Sequence, residues 1–124
     1  MGKTVSQLTP EELKQYDPTR NVDNILDPLR WEQAQARLPK LLSVLRQQFG
    51  AQRIRVFGSL VDKERYTRWS DIDLAVWDIP SEQFYDALEA VNELSQDIKV
   101  DLVNPRTCKS SILKADIEEE GIEV

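Results

Sequence analysis

Three aspartates near the middle of the chain have a spacing that could bring their carboxylates together. Asp71 and Asp73 flank a single isoleucine at the start of an apolar run, and Asp101 lies inside a second apolar run at 98–103. In both runs the aspartates alternate with apolar residues, and side chains two residues apart project from the same face of a strand. If the two strands pair, the three carboxylates converge on one patch. Such like charges repel each other, and a bound cation relieves the repulsion.

A glycine and a serine upstream of the aspartates could bind phosphate beside such a cation. Gly58-Ser59 directly follows the alternating run 53–57. A glycine at such a turn lets the backbone approach a ligand closely, and exposed N–H groups with a hydroxyl suit phosphate oxygens. Mg²⁺ commonly binds through one or two carboxylates plus substrate phosphates. Two such ions about 3.5–4 Å apart can clamp the attacking and leaving oxygens of a displacement at phosphorus. The residues therefore predict metal-assisted chemistry on a phosphate.

The hydrophobic pattern predicts the elements that must hold these residues. Period-two alternation predicts three strands, at 53–57, 71–77 and 98–103. Helical periodicity predicts four helices, at 29–37, 38–49, 81–95 and 108–119. Pro39 separates the first two of these helices, and Gly50 ends the second. We expect a mixed sheet with the helices on one face and the site on the other.

The motifs also occur in a recognisable order. They are Val56-Phe57-Gly58-Ser59, Ser70-Asp71-Ile72-Asp73-Leu74-Ala75-Val76 and Val100-Asp101-Leu102-Val103. This ordered set resembles the polymerase-β-like nucleotidyltransferases. More narrowly, it is similar to the minimal nucleotidyltransferases, the MNT antitoxins encoded beside HEPN ribonuclease toxins. The stretch from Ser111 to Val124 is similar to the closing helix, glycine and strand of that family, and the resemblance covers about residues 38–124.

The resemblance implies a fold, a site and a reaction. The fold is α/β (α+β), with a small mixed sheet, helices on one face and a polymerase-β-like nucleotidyltransferase core. Asp71, Asp73 and Asp101 would be the catalytic residues and the ligands of Mg²⁺, with two ions expected. Gly58 and Ser59 would bind the nucleotide phosphates. The reaction would be transfer of AMP from ATP to a hydroxyl, expected to be a tyrosine, of a cognate HEPN toxin, which silences that ribonuclease.

The loop between the two motifs departs from the family pattern. Residues 60–70 are one residue longer than is usual. Where Arg-Ala-x-Gly commonly follows the Gly-Ser, this chain has Leu60-Val61-Asp62-Lys63 and no glycine in the loop. The loop contains three cations that could steer a triphosphate, Lys63, Arg65 and Arg68. Acidic residues lie among them, so a solvated mixed-charge loop is an equally good interpretation.

Two tryptophans flank the acidic pair. Trp69 precedes Asp71 by two residues, and Trp77 shares its strand face with the aspartates. An aromatic side chain here could line a nucleotide base or a partner surface. Packing within the fold is the expected role of both, because large aromatic side chains contribute most when buried.

Composition excludes several other kinds of site. The 124 residues are enough for one domain and contain no histidine, which excludes Ser-His-Asp chemistry and His-ligated zinc. The single cysteine, Cys108, allows no internal disulfide. A formal net charge of −6 argues against direct nucleic-acid binding and favours a basic partner. The absence of an apolar span or signal peptide predicts a cytoplasmic protein with no membrane partner.

The amino-terminal segment differs from the rest of the chain. Residues 1–28 are polar and read as an arm, with a short helix predicted at 10–16 because Thr9-Pro10-Glu11-Glu12 is a good helix start. Residues 29–124 are then the minimal nucleotidyltransferase domain. The arm is either a loosely packed tail or a docking segment for the partner.

Two other functions are compatible with the same residues. A non-catalytic antitoxin would neutralise the toxin by contact alone, and the altered loop 60–70 is the best support for it. Nucleotidyl transfer to a small molecule such as an aminoglycoside is the other, and the lack of room for a second substrate-binding domain argues against it.

Overall fold

The computed structural model describes residues 25–124, and within them the chain forms three helices and four strands. The helices are α1 (Pro28–Phe49), α2 (Phe84–Ser95) and α3 (Ser111–Glu120). The strands are β1 (Ile54–Phe57), β2 (Ile72–Val76), β3 (Val100–Val103) and β4 (Ile122–Glu123). Their order along the chain is α1-β1-β2-α2-β3-α3-β4. Each predicted strand is present, shortened by one or two residues at its ends.

The four strands form one mixed sheet with the spatial order β3-β2-β1-β4. Strand β1 is antiparallel to both β2 and β4, whereas β2 and β3 are parallel. A parallel pair needs a crossover connection, and α2 supplies it between β2 and β3. The predicted α/β class with a small mixed sheet is therefore confirmed.

Helix α1 is continuous through Pro39, so the prediction of two helices separated at this residue is wrong. A proline inside a helix removes one hydrogen bond and costs about 3 kcal/mol. Ala34 and Leu38 before the proline and Leu41 and Leu45 after it are all buried on one face of the helix. Burying a leucine contributes about 1.5–3 kcal/mol, so the shared apolar face outweighs the defect. The predicted end is correct, since Gly50 caps α1 in the left-handed conformation.

The main core lies between one face of the sheet and helices α1 and α2. Strand residues of one parity, such as Val56, Leu74 and Val100, point into it, as the alternation in the sequence requires. A second, smaller cluster lies on the other face, where Ile117 of α3 packs against Phe57 and Ala75. The one-face arrangement thus holds for α1 and α2, while α3 packs on the face that carries the aspartates.

The predicted helix at 10–16 lies outside the described residues, and so does most of the predicted arm 1–28. The described part begins with contacts to the loop 60–70. Leu26 forms an isolated bridge with Thr67, and the Asp27 N–H donates to the Tyr66 carbonyl over 2.9 Å. Among residues 25–124, no helix combines the length and hydrophobicity needed to cross a membrane.

Candidate active site

Asp73 and Asp101 are neighbours across two parallel strands. They are register partners, Asp73 on the central strand β2 and Asp101 on β3. Both point to the face opposite the main core, because the residues on either side of each are buried in that core. The side chain of Asp101 is 41% exposed, and its Oδ1 lies 3.4 Å from Nζ of Lys99. The structure therefore brings these two predicted site residues together.

Gly58 lies directly against Asp73. It begins the turn that follows β1, and its φ of 73° is in the left-handed region that favours glycine. A Cβ placed on Gly58 would overlap Oδ2 of Asp73 and come within 3.3 Å of its Cγ. Gly58 is thus required both by its backbone conformation and by the close approach of the carboxylate. The Gly-Ser turn therefore lies next to Asp73, which is itself the neighbour of Asp101.

Ser59 lies in a short 3-10 turn, Gly58–Val61, beside that carboxylate. Its carbonyl accepts a hydrogen bond from the Asp62 N–H over 3.1 Å. The next residue, Leu60, is fully buried, and its carbonyl accepts hydrogen bonds from Trp31 Nε1 at 3.0 Å and Gln35 Nε2 at 3.3 Å. The turn is therefore held by the buried Leu60 side chain and by the two hydrogen bonds that α1 donates to the Leu60 carbonyl.

Asp71 lies one residue before β2, at the end of the long loop. Two groups hold the backbone here. Arg30 of α1 donates from Nε and Nη2 to the Ser70 carbonyl, over 3.2 and 3.0 Å. The buried Tyr66 hydroxyl donates to the Asp71 carbonyl over 3.2 Å. Burial raises the pKa of Tyr66 to about 12, so the hydroxyl keeps its proton for this bond.

The carboxylates repel one another. Burial, followed by the charges of Asp101, Asp71 and Asp116, raises the pKa of Asp73 to about 6. Burial and then Asp101 also raise the pKa of Asp71. The charge of Asp116 on α3 contributes to the raised pKa of Asp73, an effect that the sequence did not predict. The only sequence indication was its position next to Ile117, which α3 buries against the aspartate face.

These groups fit Mg²⁺ as a partial set of ligands. All are hard oxygen donors, and their mutual repulsion favours a cation. Within residues 25–124, no three Asp, Glu, His or Cys side chains are gathered closely enough to form a metal site by themselves. This matches the usual behaviour of Mg²⁺, which takes its remaining ligands from water and substrate phosphates.

The loop cations are largely engaged within the protein. Arg65 pairs with Asp62 at 3.5 Å and with Glu120 of α3 at 3.1 Å, and Lys63 lies 5.5 Å from the ring of Trp31. These contacts favour the mixed-charge interpretation of the loop over a role in steering triphosphate.

The two tryptophans have different environments. Trp77 packs at the border of the second cluster, with the Arg53 guanidinium 4.1 Å from its ring centre. Trp69 is 63% exposed, so the expectation that it packs within the fold is wrong. It lies in a tight turn in which Thr67 and Ser70 bond to each other, and this turn holds its ring away from the core.

A mixed sheet that pairs aspartates on neighbouring strands beside a Gly-Ser turn defines a nucleotidyltransferase class of protein. Residues 39–124 match the family described as "Polymerase beta, Nucleotidyltransferase", and the chain belongs to this family. No curated protein matches the chain.

Solved structures give the same assignment of fold. The chain is similar to a chain of the toxin–antitoxin MntA–HepT, at 25% identity, TM-score 0.54 and coverage of 72% of this chain and 69% of that one. It is similar to a chain of a toxin–antitoxin with AMP-PNP, at 27% identity, TM-score 0.55 and coverage of 71% and 69%. It shares the fold of tri-AMPylated Shewanella oneidensis HEPN toxin in complex with MNT antitoxin, at 24% identity, TM-score 0.54 and coverage of 73% and 70%. The predicted resemblance to MNT antitoxins is therefore confirmed.

Proposed function

We propose that the protein is an antitoxin that transfers AMP from ATP to a hydroxyl of a cognate HEPN ribonuclease toxin and thereby silences it. The observation that carries the proposal is the position of Asp73. Its carboxylate lies beside Asp101 on one side and against the backbone of Gly58 on the other. Carboxylates that could bind a metal and backbone N–H groups that could bind phosphate are thus close together, which is what nucleotidyl transfer requires.

In this proposal the Gly58-Ser59 turn binds the triphosphate. Since Gly58 has no side chain, the turn lies in contact with the Asp73 carboxylate, so a phosphate bound by the backbone N–H groups of the turn and the Ser59 hydroxyl would lie beside the proposed metal ligands. Asp71, Asp73 and Asp101 would hold Mg²⁺, with two ions expected. When bound, these ions would neutralise the phosphates and stabilise the charge that develops at phosphorus.

The transfer step makes and breaks one bond at the α-phosphorus. The acceptor oxygen bonds to this phosphorus, and the bond from phosphorus to the oxygen bridging to the β-phosphate breaks, so that pyrophosphate leaves. Asp101, whose side chain on β3 is 41% exposed, would orient the acceptor hydroxyl and take its proton. No histidine is present to act as the base.

A protein acceptor is supported by the related complexes. MntA–HepT is a toxin–antitoxin, and a similar toxin–antitoxin structure contains AMP-PNP, an analogue of ATP. In the Shewanella oneidensis complex, which shares the fold, the HEPN toxin is tri-AMPylated. The net charge of −6 on this chain would attract a basic ribonuclease. We take a tyrosine hydroxyl as the acceptor to be tested.

Intact-mass measurement of the partner tests the proposal. The product of the reading frame adjacent to the gene for this chain, the proposed HEPN toxin, is incubated with Mg-ATP and the wild-type protein, with Asp73→Asn, or with Asp86→Asn as a matched control. Asp86 is an exposed carboxylate on α2, on the other side of the sheet. We expect the toxin to gain the mass of one or more AMP groups with wild-type and control protein and none with Asp73→Asn. An unmodified but inactive toxin would favour neutralisation by binding alone, and an active, unmodified toxin would leave small molecules as the acceptors.

A further inference from the structure

The first half of helix α1 contacts the loop that carries Asp71. Two nitrogens of the Arg30 guanidinium donate to a single carbonyl, that of Ser70, over 3.2 and 3.0 Å. Ser70 is next to Asp71 in the chain and forty residues from Arg30. A hydrogen bond from a charged donor is stronger than one between two neutral groups. Arg30 therefore fixes the backbone from which the Asp71 side chain projects.

The same part of α1 also contacts the turn Gly58–Val61. Trp31 Nε1 and Gln35 Nε2 both donate to the Leu60 carbonyl, which lies in the turn that contains Gly58 and Ser59. Trp31 and Gln35 are four residues apart and so lie above one another on a single helix face. Two donors from one helix face therefore hold one carbonyl of the turn.

The start of α1 is hydrogen-bonded to the loop 60–70. The Asp27 side chain caps the helix by accepting from the Arg30 N–H over 3.0 Å, while the Asp27 N–H donates to the Tyr66 carbonyl over 2.9 Å. The Tyr66 hydroxyl in turn donates to the Asp71 carbonyl. Arg30 and Tyr66 thus hold the backbone before β2 from two directions, and neither can move without disturbing the helix start.

We propose that the amino-terminal half of α1 positions the two loops of the active site independently, Arg30 holding the Asp71 loop and Trp31 holding the Gly58-Ser59 turn. These are positioning residues, since each acts through a backbone carbonyl of the site. The family match begins at residue 39, so Arg30, Trp31 and Gln35 all lie outside it. This half of the helix contacts both ends of the long, glycine-free loop 60–70.

The roles of the two loops, metal binding and phosphate binding, rest on the proposed function. Because the roles differ, we expect replacement of Arg30 and of Trp31 to change different kinetic constants. Arg30 acts on a metal-binding carboxylate, so its loss should lower kcat. A misplacement of about 1 Å in such a group can reduce the rate about a hundredfold. Trp31 acts on the phosphate-binding turn, so the loss of its N–H should weaken ATP binding and raise KM.

Three single variants separate these effects. Arg30→Ala removes the clamp on Ser70, and Trp31→Phe keeps an aromatic ring but removes the N–H that bonds to Leu60. Arg37→Ala is the matched control, because it removes the same charge from the same helix and, within residues 25–124, breaks an ion pair with Asp97 at 2.9 Å that lies outside both loops. Amide hydrogen exchange of residues 58–62 and 66–71 is measured well below each melting temperature, together with calorimetric titration of Mg-ATP and the kinetics of AMP transfer to the toxin.

We expect Arg30→Ala to accelerate exchange in 66–71 alone and to lower kcat by about ten- to a hundredfold. We expect Trp31→Phe to accelerate exchange in 58–62 alone and to weaken Mg-ATP binding about three- to tenfold, as the loss of one hydrogen bond implies. Arg37→Ala should change neither loop.

Acceleration spread evenly over α1 and both loops would reveal a merely structural role and overturn the proposal. A variant that leaves exchange in its own loop unchanged would overturn the assignment of that residue. If the wild-type protein transfers no AMP, the proposed function fails, but exchange and Mg-ATP titration still decide whether α1 positions the two loops.

Discussion

The carboxylate of Asp73 fills the space that a Cβ on Gly58 would need. The two residues come from different strands, Gly58 from the end of β1 and Asp73 from β2, and the pairing of Phe57 with Asp73 brings them together. A glycine and an acidic residue fifteen positions apart are thus parts of one surface. Several expected outcomes depend on this contact and on those around it.

Replacement of Gly58 by alanine should reduce both stability and activity. Gly50 supplies a matched control, because it also has a positive φ, of 75°, but a Cβ added to it would meet no atoms within 4 Å. Gly50→Ala should cost about 1 kcal/mol of unfolding free energy through backbone conformation alone. Gly58→Ala should cost more and abolish Mg-ATP binding, because the methyl group also displaces the Asp73 carboxylate. Urea denaturation measures the difference, and equal losses at the two positions would contradict the contact.

Replacement of Asp73 by asparagine should change how stability depends on pH in metal-free protein. The pKa of Asp73 is raised from 3.8 to about 6 on folding, so the folded state binds this proton more tightly than the unfolded state does. The contribution of this group to stability is therefore full below pH 4 and is lost as the pH rises through 6. Asp73→Asn should lack that decline and be at least as stable as wild type at pH 7. Urea midpoints between pH 4 and 7 in a chelator measure this, with Asp86→Asn correcting for the change in net charge.

Mg²⁺ and ATP together should stabilise the protein more than the sum of their separate effects. In the proposed function the carboxylates supply some of the ligands of Mg²⁺ and the triphosphate supplies others, so each ligand completes the site of the other. A ligand present at a hundred times its Kd adds about 2.7 kcal/mol to the unfolding free energy of the protein that binds it. Scanning calorimetry with each ligand alone and with both measures the synergy, which Asp73→Asn should abolish. Purely additive shifts in the wild-type protein would favour neutralisation by binding.

Replacement of Pro39 by alanine should stabilise α1. The helix is continuous here and Pro39 is exposed, so an alanine restores a helical N–H without disturbing the core. The gain should be about 1–2 kcal/mol after allowing for the greater freedom of the unfolded chain. Lys40→Ala, at the adjacent exposed position, is the control and should change stability little. An unchanged denaturation midpoint for Pro39→Ala would show that the helix is already adapted to the proline.

Deletion of residues 1–24 should weaken binding to the toxin and leave Mg-ATP binding intact. The deletion retains Leu26 and Asp27, whose contacts with the loop 60–70 belong to the described fold. Association should also weaken as salt concentration rises, because the net charge of −6 contributes through electrostatic attraction. Pull-down and titration with the truncated protein test this. Undiminished affinity would place the partner surface elsewhere, nearer the active site.

The parts of the site that depend on local pattern could be predicted from the sequence. Alternation with a period of two was enough to place Asp73 and Asp101 on strands, whereas Asp71, predicted to begin a strand, lies one residue before β2. The glycine after a strand was enough to indicate the turn at Gly58. The parallel pairing that makes Asp73 and Asp101 neighbours required only the helix between them.

The parts that were missed depend on contacts between distant segments. The bond from Arg30 to Ser70 spans forty residues, and nothing in either local sequence indicates it. The continuity of α1 through Pro39 follows from a shared buried face, which competes with a strong local rule. The charge of Asp116 acts on Asp73 because Ile117 packs beside Phe57 and Ala75, which determines the side of the sheet on which α3 lies.

The position of β3 has a consequence for the size of the acceptor. In residues 25–124 this strand pairs with β2 alone and so forms a border of the sheet, with Asp101 on it. No neighbouring strand in this part of the chain walls off that side. We therefore expect the enzyme to select its acceptor by how far a hydroxyl protrudes from a complementary surface, so that the bound partner itself forms the missing wall of the catalytic cleft.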